Sequence, residues 1–161
     1  HGEIFDHHFV EFKYPSGAIV SSQCRHQPGT KYDVSEAFQG TKANVFTSGD
    51  YCKIIDHNGN DVFKHDPSND KSPYQIEHDR LFESIRSGGV INNAEYGAKS
   101  TLTAIMGRMA TYTGKEITWE QALNSQQVLV PNDLSWNSSP PTLPDSNGRY
   151  TIPKPGETKV I

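Results

Sequence analysis

Cysteine is scarce: Cys24 and Cys52 are the two thiols in 161 residues, and no C-x-x-C spacing joins them. That excludes a thiolate zinc cluster and a thioredoxin-type motif. Two buried free thiols are the expected state, with a single disulfide as the alternative for an exported protein. Long apolar runs are missing as well, and nothing approaches the roughly 20 residues that a spanning helix needs. The opening His1-Gly2-Glu3-Ile4 has no initiator Met and no basic-then-apolar signal pattern. Strand-like sequence follows almost at once, so the chain reads as a piece of something longer. Charge of one sign is not concentrated anywhere. Fifteen basic and nineteen acidic residues are interspersed for a net −4, which leaves no basic stripe for nucleic acid or an anionic membrane.

Motifs for catalysis and cofactors are equally sparse. There is no G-x-S-x-G elbow and no Gly-rich dinucleotide turn after a strand. Gly107 to Lys115 fails as a phosphate loop, because Met109 and Ala110 stand where its glycine belongs and Glu116 replaces the magnesium-binding Ser or Thr. The chain alone is therefore expected to bind neither cofactor nor metal. What it does contain, 34% hydrophobic residues with 10% aromatics, suffices for one modest core.

Residues 4–64 read as a meander of five or six antiparallel strands. His8, Val10, Phe12 and Tyr14 alternate with His7, Phe9, Glu11 and Lys13, and Pro15-Ser16-Gly17 turns the chain into a strand from Ala18 to His26. After Pro28-Gly29 come Val34 to Gly40, Ala43 to Thr47 and Tyr51 to Asp56, and Asn58-Gly59 is a hairpin signal leading into Val62-Phe63-Lys64. Such alternation predicts one covered sheet face and one open face.

Helices follow. Ser72, with Pro73 at the first position and Gln75 in capping-box register, opens a helix over 73–87 whose apolar face is Tyr74, His78, Leu81, Phe82 and Ile85. Gly88-Gly89 ends it. A second helix over 94–113 has Asn93 as cap and Gly114 as terminator. It carries two rows. Ala98, Leu102, Ile105, Met109 and Tyr112 form an apolar stripe, expected on the sheet, and Ser100, Ala104, Gly107 and Thr111 form a row without bulk, expected to admit the first helix or the tail at close range. Thr118 with Gln121 makes a capping box for a short third helix. From Gln126 onward six of the ten prolines accumulate, a tail with Leu134, Trp136, Tyr150 and Ile152 as possible anchors. The fold class expected is α+β, an open antiparallel meander sheet with helices on one face. The domain is placed at residues 1–125 and the Pro-rich tail at 126–161.

Candidate site residues are few. Asp6-His7-His8 suggests a metal site, but His7 and His8 are strand neighbours that face opposite ways and cannot readily share one ion, with His8 inward and His7 outward. Glu77-His78-Asp79 spreads around a helix with no H-E-x-x-H spacing, which leaves His78 at the core edge. Arg25 and His26, at a strand end before a loop, are candidate substrate contacts together with His7.

The run Tyr74-Gln75-Ile76-Glu77-His78-Asp79-Arg80-Leu81-Phe82-Glu83-Ser84-Ile85-Arg86-Ser87-Gly88 is followed by Ala94-Glu95-Tyr96-Gly97-Ala98-Lys99-Ser100-Thr101 and by Met106 to Lys115. These resemble the C-terminal half of the glucose-fructose oxidoreductase, inositol dehydrogenase and MocA family. Asp6 to Glu11, Tyr14 to Gly17 and the closing Tyr150 to Gly156 are similar to a bacterial branch of putative dehydrogenases in it. The resemblance implies that an N-terminal Rossmann domain, absent from this sequence, holds NAD or NADP, and that this chain is the second domain, which closes a pocket over a sugar or polyol. It also implies a homo-oligomer through the open sheet face. The family's Glu-Lys-Pro lysine and its helix-borne Asp and His have no counterpart here, so no catalytic residue carries over. Two alternatives accompany this reading: a stand-alone carbohydrate-binding or self-associating scaffold module, with Phe9, His7 and Lys13 as its contacts, and a domain of an NAD-using glycoside hydrolase.

Overall fold

The computed structural model describes residues 3–49 and 51–160; His1, Gly2, Asp50 and Ile161 lie outside the described residues. It is an α+β structure with two antiparallel sheets and three α-helices. The strands expected in one meander divide between two compact units, His1–Pro28 with Asn93–Ile161, and Gly29–Asn92.

In the first unit, β1 (His7–Lys13) and β2 (Ile19–Arg25) form a hairpin. Its turn is closed by Tyr14 N–H to Ala18 O at 3.0 Å and Gly17 N–H to Tyr14 O at 2.9 Å, with Gly17 at φ 86°. Along β1 the burial alternates as the sequence predicts: His8, Val10 and Phe12 are half-buried, and His7, Phe9, Glu11 and Lys13 are exposed. Against this inner face lies α2 (Ala94–Thr113). Its contact row is the one without bulk, since a Cβ built on Gly107 would lie 3.1 Å from Phe12 Cζ and 3.6 Å from Val10 Cγ2.

The row without bulk thus takes the strand contact expected of the apolar stripe, of which Tyr112 meets the hairpin, through Phe5 and His8. Met109 joins Ile117, Ala122 and Val160 in the core, with Leu102, Met106 and Ala110 packed on it, so the bulky side meets α3 (Trp119–Leu123) and the chain end. The reason is steric. Phe12 brings a full ring and needs a glycine opposite, whereas α3 presents Ala122 and leaves room for Met109. Thr118 caps α3 by a true capping box, accepting from Gln121 N–H at 3.2 Å while its own N–H donates to Gln121 Oε1 at 2.9 Å. No helix or strand follows Leu123 among the described residues. Of the expected tail anchors Tyr150 alone is half-buried, and the tail's hydrogen bonds come from other residues. Gly156 N–H donates to Thr113 O at 2.7 Å, Ser125 Oγ donates to Val160 O at 2.9 Å, and Val160 is 4% exposed. Leu134, Trp136 and Ile152 stand in solvent.

The second unit has β3 (Glu36–Gln39), β4 (Ala43–Ser48), β5 (Tyr51–Asp56) and β6 (Asp61–Lys64) in sequence order, each antiparallel to the next. Asp56 builds the Asn58-Gly59 turn: its Oδ1 accepts from Asn58 N–H at 2.9 Å and Asn60 N–H at 2.8 Å, and Gly59 takes φ 87°. A register shift between Ile54 and Ile55 accommodates the turn. After a 3-10 turn at Pro67–Asn69, α1 (Pro73–Ser87) has the expected bounds and ends in left-handed Gly88. Its Ser72 side chain makes no cap bond, however, and Gln75 instead donates to Asp79 Oδ1 at 2.8 Å. Asn93 likewise makes no side-chain cap on α2.

No residue of the second unit is buried among those described. On one sheet face Phe38, Val45, Ile54 and Phe63 stand opposite one another strand by strand, forming an apolar row with one residue from each strand. The apolar face of α1 is open too, with Tyr74 75% and Ile85 63% exposed. His78 is exposed rather than at a core edge, its Nδ1 bonded to Tyr74 O at 2.7 Å.

Candidate functional site at the open end of the first hairpin

The hairpin register brings the three candidate residues to one end of the hairpin. His7 stands directly opposite Arg25, and His26, one residue past the strand, donates its N–H to Asp6 O at 2.7 Å. Cross-strand neighbours of this kind share a sheet face, so His7 and Arg25 lie on the same, outward side.

Asp6 organises this end. Its Oδ1 lies 2.6 Å from His7 Nδ1, and its Oδ2 accepts from Gln27 Nε2 at 3.1 Å. The hydrogen bond from His7, followed by that from Gln27, holds the Asp6 carboxyl below the usual carboxylate range. With Nδ1 committed to Asp6, His7 presents Nε2 outward. The His7 imidazole, the Asp6 carboxylate and the Gln27 amide therefore sit together at one strand end, with Arg25 opposite His7 in the register, a set that matches the donors and acceptors of a polyhydroxylated molecule. The site is exposed, and hydrogen bonds that compete with water contribute little net affinity. A second surface must cover it to make a selective pocket.

Sequence reasoning singled out His7, Arg25 and His26 and missed Asp6 and Gln27 as their organisers. The signal for Asp6 was its place just before β1, opposite His26, which becomes visible only once the register is known.

His8 has another task. His8 Nδ1 lies 2.8 Å from Thr111 Oγ1, whose hydroxyl is also 3.0 Å from Arg108 O, so the ring is hydrogen-bonded to α2. The His8 ring lies 6.1 Å from that of Tyr112 at 24°, and Phe5 meets Tyr112 edge-on at 4.8 Å. His8 thus fastens the hairpin to α2, and its ring and that of His7 face opposite ways. Among the described residues no group of three or more His, Cys, Asp or Glu side chains is placed to hold a metal ion. Cys24 and Cys52 are free, but Cys24 is exposed and Cys52 half-buried rather than buried. No helix among the described residues is long and apolar enough to cross a membrane. Among the described residues neither α1 nor α2 begins directly after a strand through a Gly-rich turn.

Comparison with protein-family models, with curated proteins and with solved structures yields no match to this chain.

Proposed function

We propose that this chain is the substrate-pocket and oligomerisation domain of an NAD- or NADP-dependent dehydrogenase of the glucose-fructose oxidoreductase, inositol dehydrogenase and MocA family, acting on a sugar- or polyol-like molecule. The resemblance described above motivates the family. The observation that carries the domain role is the unpartnered apolar surface of residues 29–92. A four-stranded sheet whose apolar row leaves Phe38 58% and Phe63 47% exposed with Val45 and Ile54 half-buried between them, and a helix with an open apolar face, bury too little to be stable without a partner surface. A homo-oligomer through the sheet supplies that partner. The Asp6, His7, Arg25, His26 and Gln27 end of the hairpin contributes polar contacts to the substrate, and a separate Rossmann domain brings the nicotinamide. Hydride transfer needs both bodies, so the chain by itself is not catalytic.

Two measurements test this reading. Calorimetric titration of NAD and NADP into the chain should give no binding heat; a micromolar constant for either would sink the two-domain account. In sedimentation the chain should be a dimer or larger, and Phe38→Asp with Phe63→Asp should shift it to monomer. A monomeric wild type at high concentration would refute the oligomerisation role.

One observation favours a second reading, a carbohydrate-binding module. Phe9 is 61% exposed on the outward face of β1, opposite Gln23 and on the same side as His7 and Arg25. An aromatic ring flanked by planar polar groups is a suitable platform for a sugar. Under this reading Phe9→Ala abolishes sugar binding by the chain alone.

A further inference from the structure

In the first unit α2, α3 and the segment after α3 frame an open groove of about 460 Å³, lined by Leu102, Ile105, Met109 and Leu129 together with Ala122. Its size falls in the range of small-molecule sites. Three side chains in the lining carry polar groups. One of them, Ser125, has no donor left for an anion: its hydroxyl donates to Val160 O at 2.9 Å and accepts from Gln127 N–H at 3.2 Å.

The other two are Arg108 and Gln127. Arg108 is half-buried, its guanidinium lies 5.4 Å from the Tyr112 ring centroid, and Nη2 donates to Gln127 Oε1 at 3.4 Å. Among the described residues no carboxylate pairs with it. A partly desolvated guanidinium beside apolar walls favours an anion, and its planar fork fits a carboxylate. The Gln127 amide, with its oxygen turned to Arg108, keeps Nε2 to donate to the same anion. The other side chains of the lining, Leu102, Ile105, Met109, Ala122 and Leu129, are apolar, so the complementary ligand has one polar head and an aliphatic body.

We propose that this groove binds a short aliphatic monocarboxylate, its chain on Leu102, Ile105, Met109 and Leu129 and its head on Arg108 and Gln127. This site lies on α2 and the segment after α3, and its occupancy is independent of the dehydrogenase reading.

Octanoate, hexanoate and octanol titrated into the intact chain provide the test. Octanoate should bind measurably, octanol at least tenfold more weakly, and affinity should fall roughly fourfold for each methylene removed, as burial of a CH2 group predicts. Arg108→Gln should weaken octanoate about tenfold or more while leaving octanol unchanged. Leu129 is 57% exposed, so Leu129→Glu should fold normally and repel octanoate by its charge. Equal binding of octanoate and octanol, indifference to both substitutions, no dependence on chain length, or no octanoate binding at millimolar concentration would each overturn the proposal.

Discussion

The close approach of Gly107 to the hairpin can be tested by adding atoms to it. Alanine in place of glycine inside a helix gains about 1 kcal/mol from propensity alone. Gly97 supplies the control: it lies in the same helix and a Cβ there meets nothing within 4 Å. Gly97→Ala should therefore stabilise the chain by roughly 0.5–1 kcal/mol. At Gly107 the same Cβ would lie 3.1 Å from Phe12 Cζ, several tenths short of the roughly 3.5–4.0 Å optimum for carbon pairs. The Phe12 ring must give way, and it is half-buried on a strand held by its partner at every register position. That clash offsets the helix gain, so Gly107→Ala should come out near neutral. Gly107→Leu adds three further carbons in the same place and should destabilise by about 1–3 kcal/mol. For a chain of this length that is a drop in Tm of roughly 2–12 °C. Urea unfolding followed by circular dichroism reads both variants, with an unchanged m value ensuring that the same surface unfolds. If Gly107→Leu matched wild type, or Gly107→Ala gained as much as Gly97→Ala, the packing of α2 on β1 through this row would be refuted. Phe12→Leu should rescue Gly107→Ala, since it removes the atom in the way.

Three further outcomes follow from the same contacts. Thr118→Ala removes the side-chain acceptor for Gln121 N–H and should cost about 1 kcal/mol, readable in the same melts; Thr118→Ser should restore most of it. Val160→Ala withdraws two methyl groups from the cluster of Met109, Ile117 and Ala122 and should cost roughly 1–2 kcal/mol, so an unchanged Cm would mean that the chain end does not pack there. Asp56 is held below the usual carboxylate range first by the Asn60 side chain, then by backbone N–H groups. Its contribution is therefore complete above the ordinary carboxylate pKa and is lost as pH falls through the lower folded value. Asp56→Asn should flatten the loss of stability below about pH 4 in acid titrations, and an unaltered acid profile would count against this turn.

How much of this was legible in the sequence depended on whether the signal was local. The bounds of α1 and α2, the left-handed glycines that end them and the Thr118 box are decided within a few residues of chain, so periodicity and caps suffice to find them. Where a cap has a competitor, the same logic fails. Gln75 could serve Ser72 or Asp79, and one turn along the helix Asp79 wins as a charged acceptor. The candidate site was half legible. His7, Arg25 and His26 could be picked as polar residues near strand ends, but the pairing of His7 with Arg25 and of the His26 N–H with Asp6 depends on a hairpin register that one residue of slip would undo.

The sequence by itself therefore determined the kinds of element and their limits, the alternation that sends His8 in and His7 out, and the scarcity of cofactor motifs. All of these rest on backbone sterics and on contacts only a few residues apart. Tertiary structure alone decided how the strands were shared between two sheets and which row of α2 met which neighbour. It also decided that Val160 and Gly156, rather than Trp136, fix the tail. Those choices turn on whether a particular ring fits against a particular glycine across a long span of chain, and no local pattern encodes the volume that a distant residue will bring.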